Sequence, residues 1–145
     1  MKCLVQRVKS SSVDIENNEY SHINQGLLLF LGVEKGDDSE ICKKMSDKIL
    51  KLRIFADEED KMNLSVCDIK GEILAVSQFT LCADCKKGNR PRFDTAEKPD
   101  IANKLYEEFV QNLKLSGLNV QTGVFGAMMQ VKIQNDGPVT FMLQM

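Results

Sequence analysis

Two short segments far apart in the chain carry its chemistry: Ser77-Gln78-Phe79-Thr80 and Asn135-Asp136-Gly137-Pro138-Val139-Thr140. Neither sets a nucleophile beside a base, and neither has metal-ligand spacing. They offer small side chains, hydroxyls and approachable main chain. That suits gripping an acyl group by shape and holding an oxyanion while the nucleophile arrives from elsewhere. The first segment sits at the end of a strand-like run, where consecutive N–H groups can point at one oxygen. Thr80 as a nucleophile would need an adjacent base. The one histidine, His22, lies in a hairpin strand and reads as an ordinary residue. From composition alone, plain strand-end hydrogen bonding accounts for Ser77 and Thr80. Pro138 has no N–H to give a paired strand, which predicts a break or tight turn between two final strands. An X-Pro peptide also adopts cis at a cost of only about 0.5–1 kcal/mol, and Gly137 before it removes a Cβ.

Other clusters are weaker. Lys86, Lys87, Arg90, Arg92 and Lys98 fall within thirteen residues. They read equally as a solvated loop or as a phosphate-binding patch beside the first segment. Cys82-x-x-Cys85 lacks the further ligands of a zinc site and is followed by loop, so all five cysteines read as free thiols with no disulfide framework. Asp57-Glu58-Glu59-Asp60 reads as a surface loop. Neither metal nor cofactor is expected.

Residues 2–9 and 12–16 read as strands. A turn at Asn17-Asn18 leads into residues 19–23, and residues 26–33 form a fully buried strand. Asp37-Asp38-Ser39-Glu40 opens a helix whose apolar stripe is Ile41, Met45, Ile49 and Leu52. Residues 53–56 return to strand, and residues 64–67 and 72–78 read as a hairpin around Lys70-Gly71. Residues 83–95 form the longest irregular stretch. A second helix begins near Pro99, with a stripe of Ile101, Leu105, Phe109 and Leu113, and stops at Gly117. Strands at 118–124, 128–134 and 139–144 complete a mixed α/β domain over residues 1–145, a curved, barrel-like sheet covered by two helices.

Of the 145 residues, 43% are hydrophobic and 28% charged, ordinary for a soluble globular protein. Formal net charge is −2, less basic than expected of a protein that holds a long duplex by phosphate contacts alone. No apolar run approaches the roughly 18 residues of a membrane span, and the opening residues alternate like a strand rather than a signal peptide. The expectation is a cytoplasmic protein.

Together with Met62-Asn63-Leu64-Ser65-Val66, Lys87-Gly88-Asn89-Arg90-Pro91, Leu105-Tyr106-x-x-Phe109 and Gly123-Val124-Phe125-Gly126-Ala127, the two segments closely resemble D-aminoacyl-tRNA deacylase. The resemblance runs from Val5-Gln6-Arg7-Val8 to Leu143-Gln144. It implies hydrolysis of the ester joining a D-amino acid to the 3′-terminal adenosine of tRNA, with cleavage of glycyl-tRNA besides. It also implies a homodimer in which a cis Gly137-Pro138 peptide reaches into the partner's pocket as a chiral filter, alongside Asn135 and Thr140. Main chain around Gln78, Phe79 and Thr80 would hold the aminoacyl carbonyl and terminal adenosine. Ser77 and Gln78 would shape the floor, and the tRNA 2′-hydroxyl would assist. Arg7 reads either as a brace for the Gly-Pro segment or as a surface charge, and Lys86, Lys87, Arg90 and Arg92 as candidate tRNA contacts. Three other readings stand beside this one. They are a relative with a trans Gly-Pro peptide that clears mischarged L-amino acids, a non-catalytic tRNA-binding module, and a thiol-redox protein using Cys82 and Cys85. Ser10-Ser11-Ser12, Ser21-His22-Ile23 and Arg92 depart from the family pattern.

Overall fold

A computed structural model describes residues 1–145. Eight strands and two helices follow in the order β1 (Lys2–Ile15), β2 (Asn18–Ile23), β3 (Gly26–Gly32), α1 (Ser39–Leu50), β4 (Phe55–Ala56), β5 (Met62–Leu64), β6 (Glu72–Ser77), α2 (Pro99–Lys114), β7 (Val120–Thr122) and β8 (Gln130–Gln144). A short 3₁₀ turn, Phe79–Cys82, follows β6.

The expected break near residue 10 is absent. β1 is one strand that bends and changes partner: residues 2–8 pair with β3, and residues 11–15 pair with β2. β8 runs antiparallel along the other edge for almost its whole length. Register irregularities between Gln6 and Ser10 supply the bend, as bulges do where a sheet curls toward a barrel. The β1–β2 turn sits one residue earlier than the sequence suggests. Glu16 and Asn17 carry φ of 51° and 64°, the pair of positive values that a two-residue hairpin of matching twist requires.

The hairpin expected around Lys70-Gly71 is also absent. β5 pairs with β4, whereas β6 lies parallel to both β3 and β7. Ile73, Leu74, Ala75 and Val76 are all buried, so both faces of β6 are covered and a parallel interior position follows. The main path of the sheet is β2-β1-β3-β6-β7, with β8 on β1, and it curls into a nearly closed barrel. One face packs Cys3, Val5, Leu27, Leu29, Leu31, Ile73 and Ala75 against both helices. The other encloses a smaller cluster of Val8, Val13, Ile23, Leu28, Leu74 and Val76.

Asp38 caps α1 by accepting from the Ile41 N–H at 2.9 Å, and the helix ends at Leu50, before Leu52. Cys42, Met45, Ser46 and Ile49 are its buried face. In α2 the buried stripe starts at Ala102, and Ile101 is exposed, because the helix lies with Ala102 and Tyr106 toward β6. The Tyr106 hydroxyl donates to the Ala75 carbonyl at 2.8 Å in a buried setting that pushes its pKa up. Tyr106→Phe removes that bond while the Ala75 carbonyl keeps the Gly123 N–H at 3.0 Å, and is expected to lower the unfolding free energy by about 1 kcal/mol in urea titrations. An unchanged midpoint would show the bond to be without net value. No helix is long and apolar enough to cross a membrane.

Candidate functional site

β6 ends at Ser77, and the chain there turns sharply into the 3₁₀ segment. The Gln78 N–H is taken by the Leu31 carbonyl at 2.7 Å, which ties the turn to β3. The first N–H groups of a helical turn have no acceptor within it, so those of Phe79 and Thr80 are the open main-chain donors. The Gln78 side-chain amide donates to the Thr80 hydroxyl, fixing both side chains at the lip. Ser77, Gln78 and Phe79 line a cleft of about 530 Å³, within the range that takes small organic ligands. Thr80 stands on the turn beside that lining and is exposed.

The opposite wall was not assigned from the sequence. It comes from Ala102 of α2 and from Phe125, Met129 and Val131. A Cβ on Gly123 would lie 2.6 Å from the Met129 sulfur, so with any larger residue there that flexible thioether would have to shift. Gly126 has φ of +74° and turns the chain there. The Gly123-x-x-Gly126 spacing was the available signal, without anything local to say which cavity it bordered. The cleft is mainly apolar, with main-chain and hydroxyl groups on one side.

The second segment does not form a turn between strands. β8 continues through it as one strand, and Gly137-Pro138 lies in a bulge. From Gln6↔Thr140 to Val8↔Asn135, β1 advances two residues while β8 advances five. Residues 136–139 therefore loop out opposite Arg7. The Gly137-Pro138 peptide is cis, and Gly137 has φ of +125°. Asn135 clamps the base of the bulge, its amide donating to the Arg7 carbonyl at 2.9 Å and the Val139 carbonyl at 3.2 Å. Gln6 donates to the Thr140 hydroxyl at 3.2 Å, while Val139 is buried in the main core.

Arg7 is a brace and not a free surface charge. Its Nε lies 3.1 Å from the Asp136 carboxylate and donates to the Asp136 carbonyl at 3.3 Å. Another guanidinium nitrogen donates to the Ile54 carbonyl at 2.6 Å. Gly137 and Pro138 are left exposed at the surface. Three strand spacings and about four residues separate them from Ser77, on the order of 15–20 Å along the sheet. The structure thus does not bring the two segments together within one chain.

The basic loop is partly spoken for. Arg92 pairs with Asp84 at 2.7 Å, and the two residues exchange main-chain hydrogen bonds, so its charge serves the loop's own closure. Lys86, Lys87 and Arg90 remain exposed without an acidic partner. Cys82 is buried with its pKa raised by desolvation, and its sulfur lies 3.5 Å from the Val33 carbonyl, whereas Cys85 is exposed. His22 sits 3.7 Å from Glu19 in a separate, polar concavity with Ser10, Ser11 and Ser12.

The family model described as D-Tyr-tRNA(Tyr) deacylase matches residues 4–144. The D-aminoacyl-tRNA deacylase of Clostridioides difficile (strain 630) is 56% identical over 143 residues, covering 99% of this chain and 96% of that protein. That of Aquifex aeolicus (strain VF5) is likewise 56% identical, covering 99% and 97%. Among solved structures, the c-Myc DNA Unwinding Element Binding Protein superposes with a TM-score of 0.94 at 42% identity, over 100% of this chain and 99% of that one. A probable eukaryotic D-amino acid tRNA deacylase gives 0.83 at 18% identity, over 98% and 97%, a likeness of fold. With a match from end to end and both segments inside it, the chain belongs to the D-Tyr-tRNA(Tyr) deacylase family.

Proposed function

We propose that this protein hydrolyses the ester between a D-amino acid and the terminal adenosine of tRNA, and that it works as a homodimer. The observation that carries the dimer is the distance between the exposed Gly137-Pro138 bulge and the cleft of its own chain. A braced wedge far from its own cleft is positioned to enter that of a second copy. In that arrangement water attacks the ester carbonyl and the bond to the 3′-oxygen breaks. The leaving oxygen takes up a proton, and the N–H groups of Phe79 and Thr80 hold the developing oxyanion. The tRNA 2′-hydroxyl assists, and the one ionisable side chain lining the cleft is the Glu97 carboxylate.

Handedness then follows from shape. L and D esters differ by exchange of hydrogen and side chain at one carbon, so affinity for a side chain cannot separate them. An obstacle where the L side chain would go can do so. Glycine presents only hydrogen to that obstacle, and glycyl-tRNA is accordingly expected to be cleaved. Purified protein in metal-free buffer, given paired D- and L-tyrosyl-tRNA, should shorten the half-life of the D ester alone. Equal cleavage, or preference for L, would favour the L-clearing relative, and binding without turnover the non-catalytic module.

Thr80→Ala is expected to keep at least roughly a tenth of wild-type activity, since the proposed oxyanion contacts are main-chain. Complete loss with fold and tRNA binding intact would make Thr80 the nucleophile. Replacing Lys86 and Lys87 by Gln should lower the slope of log K against log salt by roughly 1.5 units without changing the fold. An unchanged slope returns both to the solvent. Duplex DNA fits poorly as the partner, because net charge is −2 and the unpaired cations of this site occupy one loop.

A further inference from the structure

Phe79 and Phe93 pack at the mouth of the cleft with ring centroids 5.0 Å apart and planes tilted by 54°. Both are nonetheless exposed, 57% and 37%. The mutual contact uses one flank of each ring and leaves the other open. Phe93 is not held there by its own burial. The chain before it is fixed by the Arg92–Asp84 pairing, and the chain after it by two bonds from Lys35, to the carbonyls of Asp94 and Thr95. Thr95 also donates to the Cys82 carbonyl at 3.0 Å. A large apolar ring held at the surface by polar bonds on both sides indicates a contact surface rather than core. Lys86, Lys87 and Arg90 in the same loop give that surface a positive setting. Exposed aromatic rings beside unpaired cations are the combination that takes single-stranded nucleic acid, stacking for the bases and charge for the backbone.

We propose that Phe93, buttressed by Phe79, stacks the base of the nucleotide immediately 5′ of the terminal adenosine. This rests on the deacylase reading above. Phe79 borders the cleft that takes the ester and its adenosine, whereas Phe93 lies outside the lining on the side of the cationic loop. The shelf is therefore one step further along the strand than the terminal adenosine.

The test compares wild type, Phe93→Ala, Phe93→Leu and Phe93→Tyr on two substrates: full-length D-tyrosyl-tRNA, and the D-tyrosyl ester of adenosine, which lacks the upstream nucleotide. On tRNA, the Ala and Leu variants should each lose about 10-fold in kcat/KM, the order one base–aromatic stack supplies, and Tyr should stay near wild type. On the adenosine ester all four should agree within about twofold. Equal losses on both substrates would put the ring in the ester pocket, and no loss on either would leave it without a role. Either result overturns the proposal while wild type remains active. A wild type inert on both substrates would instead remove the deacylase reading on which it stands.

Discussion

Gly137→Ala is expected to abolish most D-specific cleavage while leaving the protein folded. An alanine Cβ there would lie 2.7 Å from the Val139 side chain, 3.0 Å from its nitrogen and 3.1 Å from the Arg7 guanidinium. The φ of +125° is also one that side-chain-bearing residues rarely adopt. Val139 is buried and Arg7 is bonded on two sides, so neither yields easily, and the bulge itself must move. A displacement of about 1 Å in a positioning element costs on the order of 100-fold in rate. Cleavage of D-tyrosyl-tRNA should fall by about that factor, and the ratio of D to L rates should shrink with it. Since Gly137 is exposed, thermal unfolding should shift by only a few degrees, roughly the effect of 1 kcal/mol. Arg7→Lys should act in the same direction but less, because one ammonium replaces a fork that holds the Asp136 side chain, the Asp136 carbonyl and the Ile54 carbonyl together. Activity and D/L ratio within twofold of wild type in Gly137→Ala would show that the bulge does not judge handedness.

Gly26→Ala should produce the largest loss of stability. Its Cβ would stand 1.8 Å from the Glu72 carbonyl oxygen and 2.7 Å from the Glu72 nitrogen, both main chain. Gly26 pairs with Glu72 at the start of the parallel β3–β6 ladder, and Glu72 donates to the Gln25 carbonyl at 3.0 Å. Room for the methyl can come only by parting two central strands. Overpacking of this kind typically costs about 1–3 kcal/mol, and backbone contacts this close belong at or above the top of that range. A fall in melting temperature of about 10 °C or more, or failure to accumulate folded protein, is expected. Gly36→Ala is the control: it has φ of +92° but nothing within 4 Å of its Cβ, so only local strain remains. Equal melting temperatures for the two variants would contradict the close approach of β3 and β6.

Local pattern carried much of this fold. The Asp38 cap, Pro99 in the first turn of α2 and Gly117 after it mark helix ends through bonds made within a few residues. Residues 72–78 read as half of a hairpin because of the nearby Lys70-Gly71 turn, although the continuous apolar run 73–76 fits a strand covered on both faces. Pro138 signalled an interruption correctly, but a proline alone does not distinguish a chain reversal from a bulge. Arg92 reads like the other cations of its loop, and only the fold sets Asp84 opposite it.

The sequence by itself determined the two helices, most of the strand residues and, through the joint occurrence of two motif segments, the family. These depend on side-chain type and short spacing, which are written in the chain. Only the tertiary structure decided that β1 and β8 are single bent strands, that Gly137-Pro138 bulges from one of them, and that Phe125, Met129 and Ala102 wall the cleft beside Ser77. Such outcomes depend on which strand lies beside which. That is set by pairing and burial between residues dozens of positions apart, where no short window of sequence holds both partners.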